Sequence, residues 1–546
     1  MVSKQLNALI SVFDKTGIGE FAAELVKLDF KIYASGGTAK AIAKAKIPVK
    51  DVAELVDGQA ILDHRVVTLS REIHAGLLAD EAHAAELKKL AIPRFDLVCV
   101  DMYPLEKVIN KKGAVEADVI EMTDIGGPTL LRAAAKGRRI VICRPEQRQT
   151  VLDWLKAGRP DEPNFLRALA AVAEFEVAKY AFASAKYLGD DEFAGFIGQR
   201  LNQTKYGENR WQKDAGLYSE GLSYDQLGLD WFEQLGGTEL SYNNYADIDR
   251  LLQTITHIAA GFDKNFGKVP AVALGAKHGN VCGGAVSNSK TEAIKKMLDG
   301  DKRAIFGGSV MFNFALDKNL AEVLLEHRMT EAKRLLDVIA AADVTDEALT
   351  ILQRKGGKLR VVTNPQLAKL NQKSLDSLER FRYVRGGTLV QDNYTFILDL
   401  KSSELQKTAV AITRSVPVNG ENVVKYEKDM VLAWAIGSTS NSNTITLVKN
   451  GKLIGNGVGQ QDRVSAAQLA IKRARNAGHD IGGAVAYSDS FFPFPDGPME
   501  LAEAGVKDIL ATRGSVNDAK VTEALKKAGV IFYTLPDSTA RGFYAH

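Results

Sequence analysis

The sequence predicts an α/β protein: a parallel, doubly wound sheet domain at the N-terminus, followed by a larger part holding a duplicated α/β unit. Three observations predict it. Short apolar runs alternate with helical stretches through the first part of the chain, the pattern of strands joined by crossover helices. The 546 residues, 46% of them hydrophobic, are enough for several cores. Further on, Gly307-Gly308-Ser309-Val310-Met311-Phe312 is echoed by Gly482-Gly483-Ala484-Val485-Ala486-Tyr487, each copy behind a helix and a strand-like segment.

Residues 8–13 form an apolar run, and Asp14-Lys15-Thr16-Gly17 turns it into a helical stretch at 18–28. A second strand at 31–34 enters Ser35-Gly36-Gly37-Thr38 and another helix. A third, at 97–100, ends in Asp101-Met102-Tyr103-Pro104. Asp124-Ile125-Gly126-Gly127-Pro128-Thr129 opens a helix through Lys136, with Pro128 suited to a first turn. Residues 140–143 close the series. In 165–188, Leu166, Ala170, Ala173, Val177 and Tyr180 keep one helical face apolar. The polar stretch at 198–204 marks the boundary between a domain at 1–197 and one at 198–546.

In the second domain a helix is expected around 248–262. A strand at 269–275 then delivers Lys277-His278 into a glycine-rich loop, Gly279 to Gly284. An Ala-rich helix is expected near 330–342, and a further glycine pair stands at Gly386-Gly387. Gly457-Val458-Gly459 leads into a helix at 464–475 but lacks the third glycine of a dinucleotide fingerprint. After a buried strand at 484–487, Pro493 and Pro495 forbid regular structure in Ser488-Asp489-Ser490-Phe491-Phe492-Pro493-Phe494-Pro495-Asp496. Three rings there, edged by carboxylates, suit a planar heterocycle; equally, they could plug the space beneath a loop.

Two glycine pairs at strand-to-helix junctions let backbone amides approach an anion at a helix N-terminus. Ser35, Thr38 and Thr129 offer hydroxyls, while Lys15, Arg65 and Lys136 offer charge. Tight turns need glycine in any case, so phosphate binding and plain turn geometry both fit. His64 and His74 read as polar surface, whereas Lys277-His278 at a strand end reads as a proton-transfer unit.

Composition excludes several classes. Seventy basic against 67 acidic residues leave a net charge of +3 without a basic block, which argues against a nucleic-acid partner. Cys99, Cys143 and Cys282 have no metal-ligand spacing, so neither a metal nor disulfides are expected. With no apolar run of membrane-spanning length and no signal core, the expected setting is the cytoplasm, away from membranes.

Five stretches together resemble one family. They are Lys277-His278, Phe491-Phe492-Pro493-Phe494-x-Asp496, Gly457-x-Gly459-Gln460-x-x-Arg463, Lys205-Tyr206-Gly207-Glu208-Asn209, and Asp124-Ile125-Gly126-Gly127-Pro128-Thr129-x-x-Arg132-Ala133-Ala134-Ala135-Lys136. The family is that of phosphoribosylaminoimidazolecarboxamide formyltransferase joined to inosine monophosphate cyclohydrolase. The resemblance covers essentially the whole chain. It implies a methylglyoxal-synthase-like first domain and a formyltransferase of two cytidine-deaminase-like units without zinc. It also implies 10-formyltetrahydrofolate as formyl donor, nucleotide and folate substrates, and a homodimer with shared formyltransferase sites.

By the same resemblance, Lys277 and His278 handle the proton of the substrate amine and Asn443 polarises the formyl group. Lys205, Tyr206, Gly307, Asp337, Arg463, Phe491 and Arg541 look like substrate contacts. Asp496, Ser515 and Val516 look like folate contacts. In the first domain Lys136 resembles the proton donor beside Asp124 and Tyr103. The nucleotide contacts there are expected from Asp14, Lys15, Ser35, Gly36, Gly37, Thr38, Arg65 and Thr68. Departures concentrate in this half: the usual Arg-Val-Lys-Thr is Arg65-Val66-Val67-Thr68, a serine is Phe13, another is Ala34, and an asparagine is Asp101. In the second, Lys205 stands for an arginine and Arg210-Trp211 for Pro-His. Two readings follow: a bifunctional enzyme, or a formyltransferase whose first domain is weakened or serves as scaffold. A protein without either activity is disfavoured by Lys277, His278 and Asn443.

Overall fold

The computed structural model describes residues 5–56, 61, 66–190, 192–220, 225–408 and 420–546, with 420–423 as backbone only. The chain forms two compact units, Met1–Ile197 and Gly198–His546.

The first unit is built on strands β1 (Leu6–Val12), β2 (Phe30–Ala34), β3 (Lys50–Asp51), β4 (Leu97–Asp101) and β5 (Ile140–Ile142). All pair in parallel, in the order β3-β2-β1-β4-β5. Parallel strands are covered on both faces, which is why Ala8, Leu9, Ile10, Leu97 and Val98 are all fully buried. Chain order reverses between β1 and β4, and in open parallel sheets the ligand crevice lies outside the carboxyl ends of such a pair. Those ends are Val12 and Asp101. The long helix Glu162–Leu188 docks through Leu169 and Ala173, and Phe165 stacks on Trp154 with ring centroids 4.4 Å apart.

The second unit holds β6 (Gln199–Gln203), β7 (Gly216–Ser219), β8 (Glu233–Gly236), β9 (Ala271–Lys277), β10 (Asn280–Ser287), β11 (Ser309–Phe312), β12 (Val338–Ala341), β13 (Arg360–Thr363), β14 (Glu379–Val384), β15 (Gly387–Asp392), β16 (Gln406–Lys407), β17 (Ile445–Lys449), β18 (Lys452–Gly457), β19 (Val485–Ser488), β20 (Asp508–Arg513) and β21 (Ile531–Pro536). Twelve of them form one sheet, β16-β21-β20-β19-β17-β18-β10-β9-β11-β12-β13-β8; β6-β7 and β14-β15 are separate hairpins.

The predicted duplication is visible in this order. In each half a long helix precedes a hairpin: Tyr242–Phe266 before β9-β10, and Gly420–Ser438 before β17-β18. Three parallel strands follow, β11-β12-β13 and β19-β20-β21. The halves meet where β10 pairs antiparallel with β18. Side chains alternate between layers, as a two-residue period requires. Val272, Leu274 and Met311 face the core shared with the two long helices, while Ala273, Val310 and Ile339 face helices on the other side. The long helices pack closely at Gly261, where a Cβ would stand 2.7 Å from Val431 Cγ1 and 2.9 Å from Trp434 Cζ3.

Two elements differ from expectation. Residues 338–341 are a fully buried strand rather than the end of an Ala-rich helix, because burial on both faces overrides alanine's helix propensity. Residues 280–287 are strand β10 rather than loop; Gly283 and Gly284 sit there because a Cβ would meet Met297 O at 2.6 Å and Ile436 Cδ1 at 2.8 Å. Lys277 pairs with Asn280, leaving a two-residue turn in which His278 and Gly279 have φ of 54° and 67°. The other half repeats it at Asn450-Gly451, with φ of 58° and 70°. Both-positive φ suits the twist of a hairpin.

Candidate active sites

In the first unit the loop after β1 lies against the end of β4. The Phe13 amide donates to Asp101 O at 3.1 Å and the Asp14 amide to Asp101 Oδ2 at 2.8 Å. Asp101 therefore organises this loop. Asp14 Oδ1 accepts from the Thr16 hydroxyl at 2.7 Å and the Thr16 amide at 2.9 Å, which holds its carboxyl below the usual range. Lys15 Nζ folds back onto Val12 O and, at 3.0 Å, Phe13 O, close beside Gly37. Burial pulls its pKa down against the pull of Asp101 and Asp14. Ser35 shares a 2.8 Å hydrogen bond with Ser11, and its side chain makes no cap on the helix Gly36–Lys44. The Gly36 and Gly37 amides thus open a helix at the carboxyl end of β2 with Lys15 beside them, an arrangement suited to an anion. Thr38, buried, bonds Val12 O at 3.2 Å.

The opposite wall carries Tyr103, Asp124 and Thr68. Phe13 packs edge-on against Tyr103 at 5.5 Å. Asp124 Oδ1 accepts from the Gly127 amide at 2.9 Å, while burial raises its carboxyl. Burial also raises the Tyr103 phenol, with Asp124 and Glu121 adding to it. Thr68 Oγ1 lies beside Gly126. Tyr180, which sequence reasoning used only as a helix marker, accepts the Asp124 amide at 2.7 Å and bonds Met122 O at 2.9 Å. Arg65 and His64 lie outside the described residues, and Val67 packs half-buried against the unit's core.

Lys136 lies apart from these residues along its helix. It ends the helix Gly126–Lys136, nine residues beyond Gly127, and a rise of 1.5 Å per residue puts it about 14 Å away. It stands toward the start of β5, at the other end of the strands from Asp124.

In the second unit, strand directions bring the expected residues to one end of the twelve-stranded sheet. That end collects the β9-β10 turn, the starts of β11, β12 and β17, and the ends of β19, β20 and β21. There Lys277 Nζ donates to Phe306 O at 2.6 Å, beside Gly307. Asp337, half-buried, has its carboxyl raised by burial against the opposing pull of Arg360, Arg354 and Lys277. Asp247, unmarked in the sequence, fixes the His278-Gly279 turn: Oδ1 accepts from the Gly279 amide at 2.9 Å and Oδ2 from Ser309 Oγ at 3.0 Å. Asp429 does the same for Asn450-Gly451 in the other half. One turn before Asp247, Asn243 Nδ2 bonds Glu208 O at 3.4 Å, which brings the Lys205-Tyr206 loop to this end.

The second half supplies a different patch. Asn443 is anchored twice to Gln460 O, through its amide at 3.0 Å and Nδ2 at 2.9 Å. Arg463 pairs with fully buried Asp489 at 2.6 Å and donates to Phe491 O at 2.7 Å. Arg541 Nη2 bonds Ser490 Oγ at 2.9 Å, and its guanidinium lies 5.7 Å from the Phe491 ring. The aromatic loop divides between its two readings. Phe492 is buried in the core against Phe532, whereas Phe494 is 59% exposed beside exposed Asp496. Asn517 Nδ2 ties the Ser515-Val516 loop to Pro493 O at 2.9 Å, and Val516 is 99% exposed.

A single chain does not bring all of these together. Strands lie about 4.8 Å apart, so Lys277 on β9 and Asn443 before β17 are about 14 Å apart across the sheet, and Asp337 and Phe491 roughly 29 Å.

Comparison with known proteins adds a family to this geometry. A family model described as "AICARFT/IMPCHase bienzyme" matches residues 134–473, and one described as "MGS-like domain" matches residues 17–129. The "Bifunctional purine biosynthesis protein PurH" of Prochlorococcus marinus is 35% identical over 538 residues, 96% of this chain and 97% of its own. The chain belongs to this bienzyme family. The proteins of the same name from Rhodopirellula baltica and Persephonella marina are 37% and 32% identical, over 95% and 96% of this chain and 95% and 97% of their own. A solved structure, "Crystal structure of ForH", shares 30% identity over 35% of this chain and 100% of its own at a TM-score of 0.31. Membership makes the chain a purine-biosynthesis enzyme with two activities, formyl transfer and cyclohydrolase ring closure, using a folate-type formyl donor. No helix among the described residues is long and apolar enough to cross a membrane.

Proposed function

We propose that the second unit transfers the formyl group of 10-formyltetrahydrofolate to the 5-amino group of 5-aminoimidazole-4-carboxamide ribonucleotide. That amine is a poor nucleophile because its lone pair is delocalised into the ring. As its nitrogen attacks the formyl carbon, His278 takes the amine proton with Lys277 beside it. The folate nitrogen leaves and is protonated. Asn443, with one N–H engaged by Gln460 O, has a second for the developing oxyanion. Arg541, Phe491, Lys205, Tyr206, Gly307, Asp337 and Arg463 contact the nucleotide; Asp496, Ser515 and Val516 contact the folate. The observation that carries this reading is the convergence of both halves' residues on one end of the sheet.

The first unit then closes the ring: the carboxamide nitrogen attacks the formyl carbon and water leaves. Tyr103 and Asp124 serve the proton transfers. The phosphate sits on Ser35, Gly36, Gly37 and Thr38 with Lys15 as cation, between Asp14 and Thr68.

The separation of the Lys277-His278 patch from the Asn443 patch favours sites completed by a second copy of the chain, a homodimer. The test mixes His278→Ala with Asn443→Ala after subunit exchange. Sharing predicts that each variant alone is inactive and that the mixture recovers about a quarter of wild-type formyl transfer, because half the dimers are mixed and each mixed dimer has one intact site. No recovery after demonstrated exchange contradicts sharing.

A further inference from the structure

The C-terminal segment does more than deliver Arg541. The Tyr544 ring lies between two guanidinium groups, Arg250 Cζ 3.8 Å and Arg380 Cζ 3.9 Å from its centroid. Its hydroxyl donates to Asp249 Oδ2, whose carboxyl burial pushes upward. Its amide donates to Ser440 O at 2.8 Å, and its carbonyl accepts from Arg380 Nη1 at 2.6 Å. Ala545 bridges in parallel to Asn441, with the Ser442 amide on Ala545 O at 3.0 Å.

Arg250, held under that ring and 5% exposed, turns its two terminal nitrogens onto the same loop. Nη1 donates to Thr439 O at 2.9 Å and Nη2 to Asn441 Oδ1 at 3.0 Å. Residues 439–442 are thus gripped from both sides immediately before Asn443. Asn441 O in turn accepts from the Gly459 amide at 3.0 Å, in the turn whose Gln460 anchors Asn443. Three residues ahead of Tyr544, Arg541 reaches Ser490 and the Phe491 ring. A planar ring between two planar cations, with a hydroxyl aimed at a half-buried carboxylate, has one register.

We propose that Tyr544 is a positioning residue for formyl transfer: it locks the C-terminal tail against Asn441 and Ser442, so that Asn443 and Arg541 are held toward one substrate. This rests on the reading of Asn443 and Arg541 given above. A purely structural plug would alter stability and leave the kinetics of the folded fraction unchanged.

The experiment compares full-length wild type, Tyr544→Ala, Tyr544→Phe, Arg380→Lys and Asn443→Ala for formyl-transfer kcat, nucleotide KM, cyclohydrolase activity and Tm. Tyr544→Ala is expected to lower formyl-transfer kcat at least tenfold and raise nucleotide KM, with cyclohydrolase activity unchanged. Tyr544→Phe keeps the ring between the guanidiniums and is expected to recover most of both. Wild-type kcat and KM in Tyr544→Ala, with Asn443→Ala inactive, overturn the clamp. Full activity in Asn443→Ala overturns the underlying reading instead. If Tyr544→Ala does not fold, Arg380→Lys decides: it loses the planar stack, and wild-type kinetics there overturn the proposal.

Discussion

Asp247 is the most informative single position outside the proposed chemistry. Replacing it with alanine removes the acceptor for the Gly279 amide and the Ser309 hydroxyl. His278 holds a left-handed conformation, φ 54°, which costs an L-residue about 1–2 kcal/mol and persists only where the surroundings impose it. A hydrogen bond to a charged acceptor contributes about 1.5–3 kcal/mol. If the loss of the Gly279 bond is felt wholly in the placement of His278, kcat/KM falls roughly 10- to 150-fold. Asp247 is half-buried, so water replaces part of what is lost and the expected value is the lower end, about tenfold. The assay is steady-state formyl transfer by the full-length variant, with cyclohydrolase activity as internal control. Asp247→Asn, which keeps an acceptor for Gly279, is expected to fall between variant and wild type. Formyl transfer within about twofold of wild type in Asp247→Ala refutes the anchoring argument, since a tenfold effect is 1.36 kcal/mol.

Two further predictions concern the first unit. Hydrogen bonds from Lys156 and Lys27 hold Glu24 down to about 2, so its stabilising contribution is complete above its ordinary value near 4.5 and disappears as pH falls toward 2. Melting curves of wild type and Glu24→Gln should therefore differ at pH 6 and converge near pH 2; an unchanged gap contradicts the linkage. Val67→Lys restores a cation near the proposed phosphate site and should lower the ring-closure KM about tenfold or more, the worth of one charge-assisted hydrogen bond, and equal KM values would show that Lys15 suffices.

Much of the architecture was legible because parallel strands and crossover helices leave apolar runs at regular intervals. The duplication was readable from two glycine-led strands, β11 and β19, that occupy equivalent places in the sheet. Residues 338–341 misled because alanine favours helices locally while the sheet decides by burial. The Gly283-Gly284 pair read as a loop because the close approach of Met297 and Ile436 is a tertiary fact with no local signature. Family motifs marked Lys277, His278 and Asn443, but not what fixes them. Asp247, Arg250 and Tyr544 lie far from them in the chain and act through hydrogen bonds and ring contacts across the fold. The Asp124-to-Lys136 motif is contiguous in sequence, yet along a straight helix its two ends stand about 14 Å apart, a separation the motif itself does not display.

The account's central claim is that His278 takes the proton of the substrate amine. It is tested most directly by His278→Ala in the full-length protein, measuring formyl-transfer turnover and nucleotide binding on the same preparation. A positioned base contributes about 100-fold or more, so turnover should fall by at least that much while nucleotide affinity stays near wild type. Near-normal turnover in a variant that binds the nucleotide normally would contradict it.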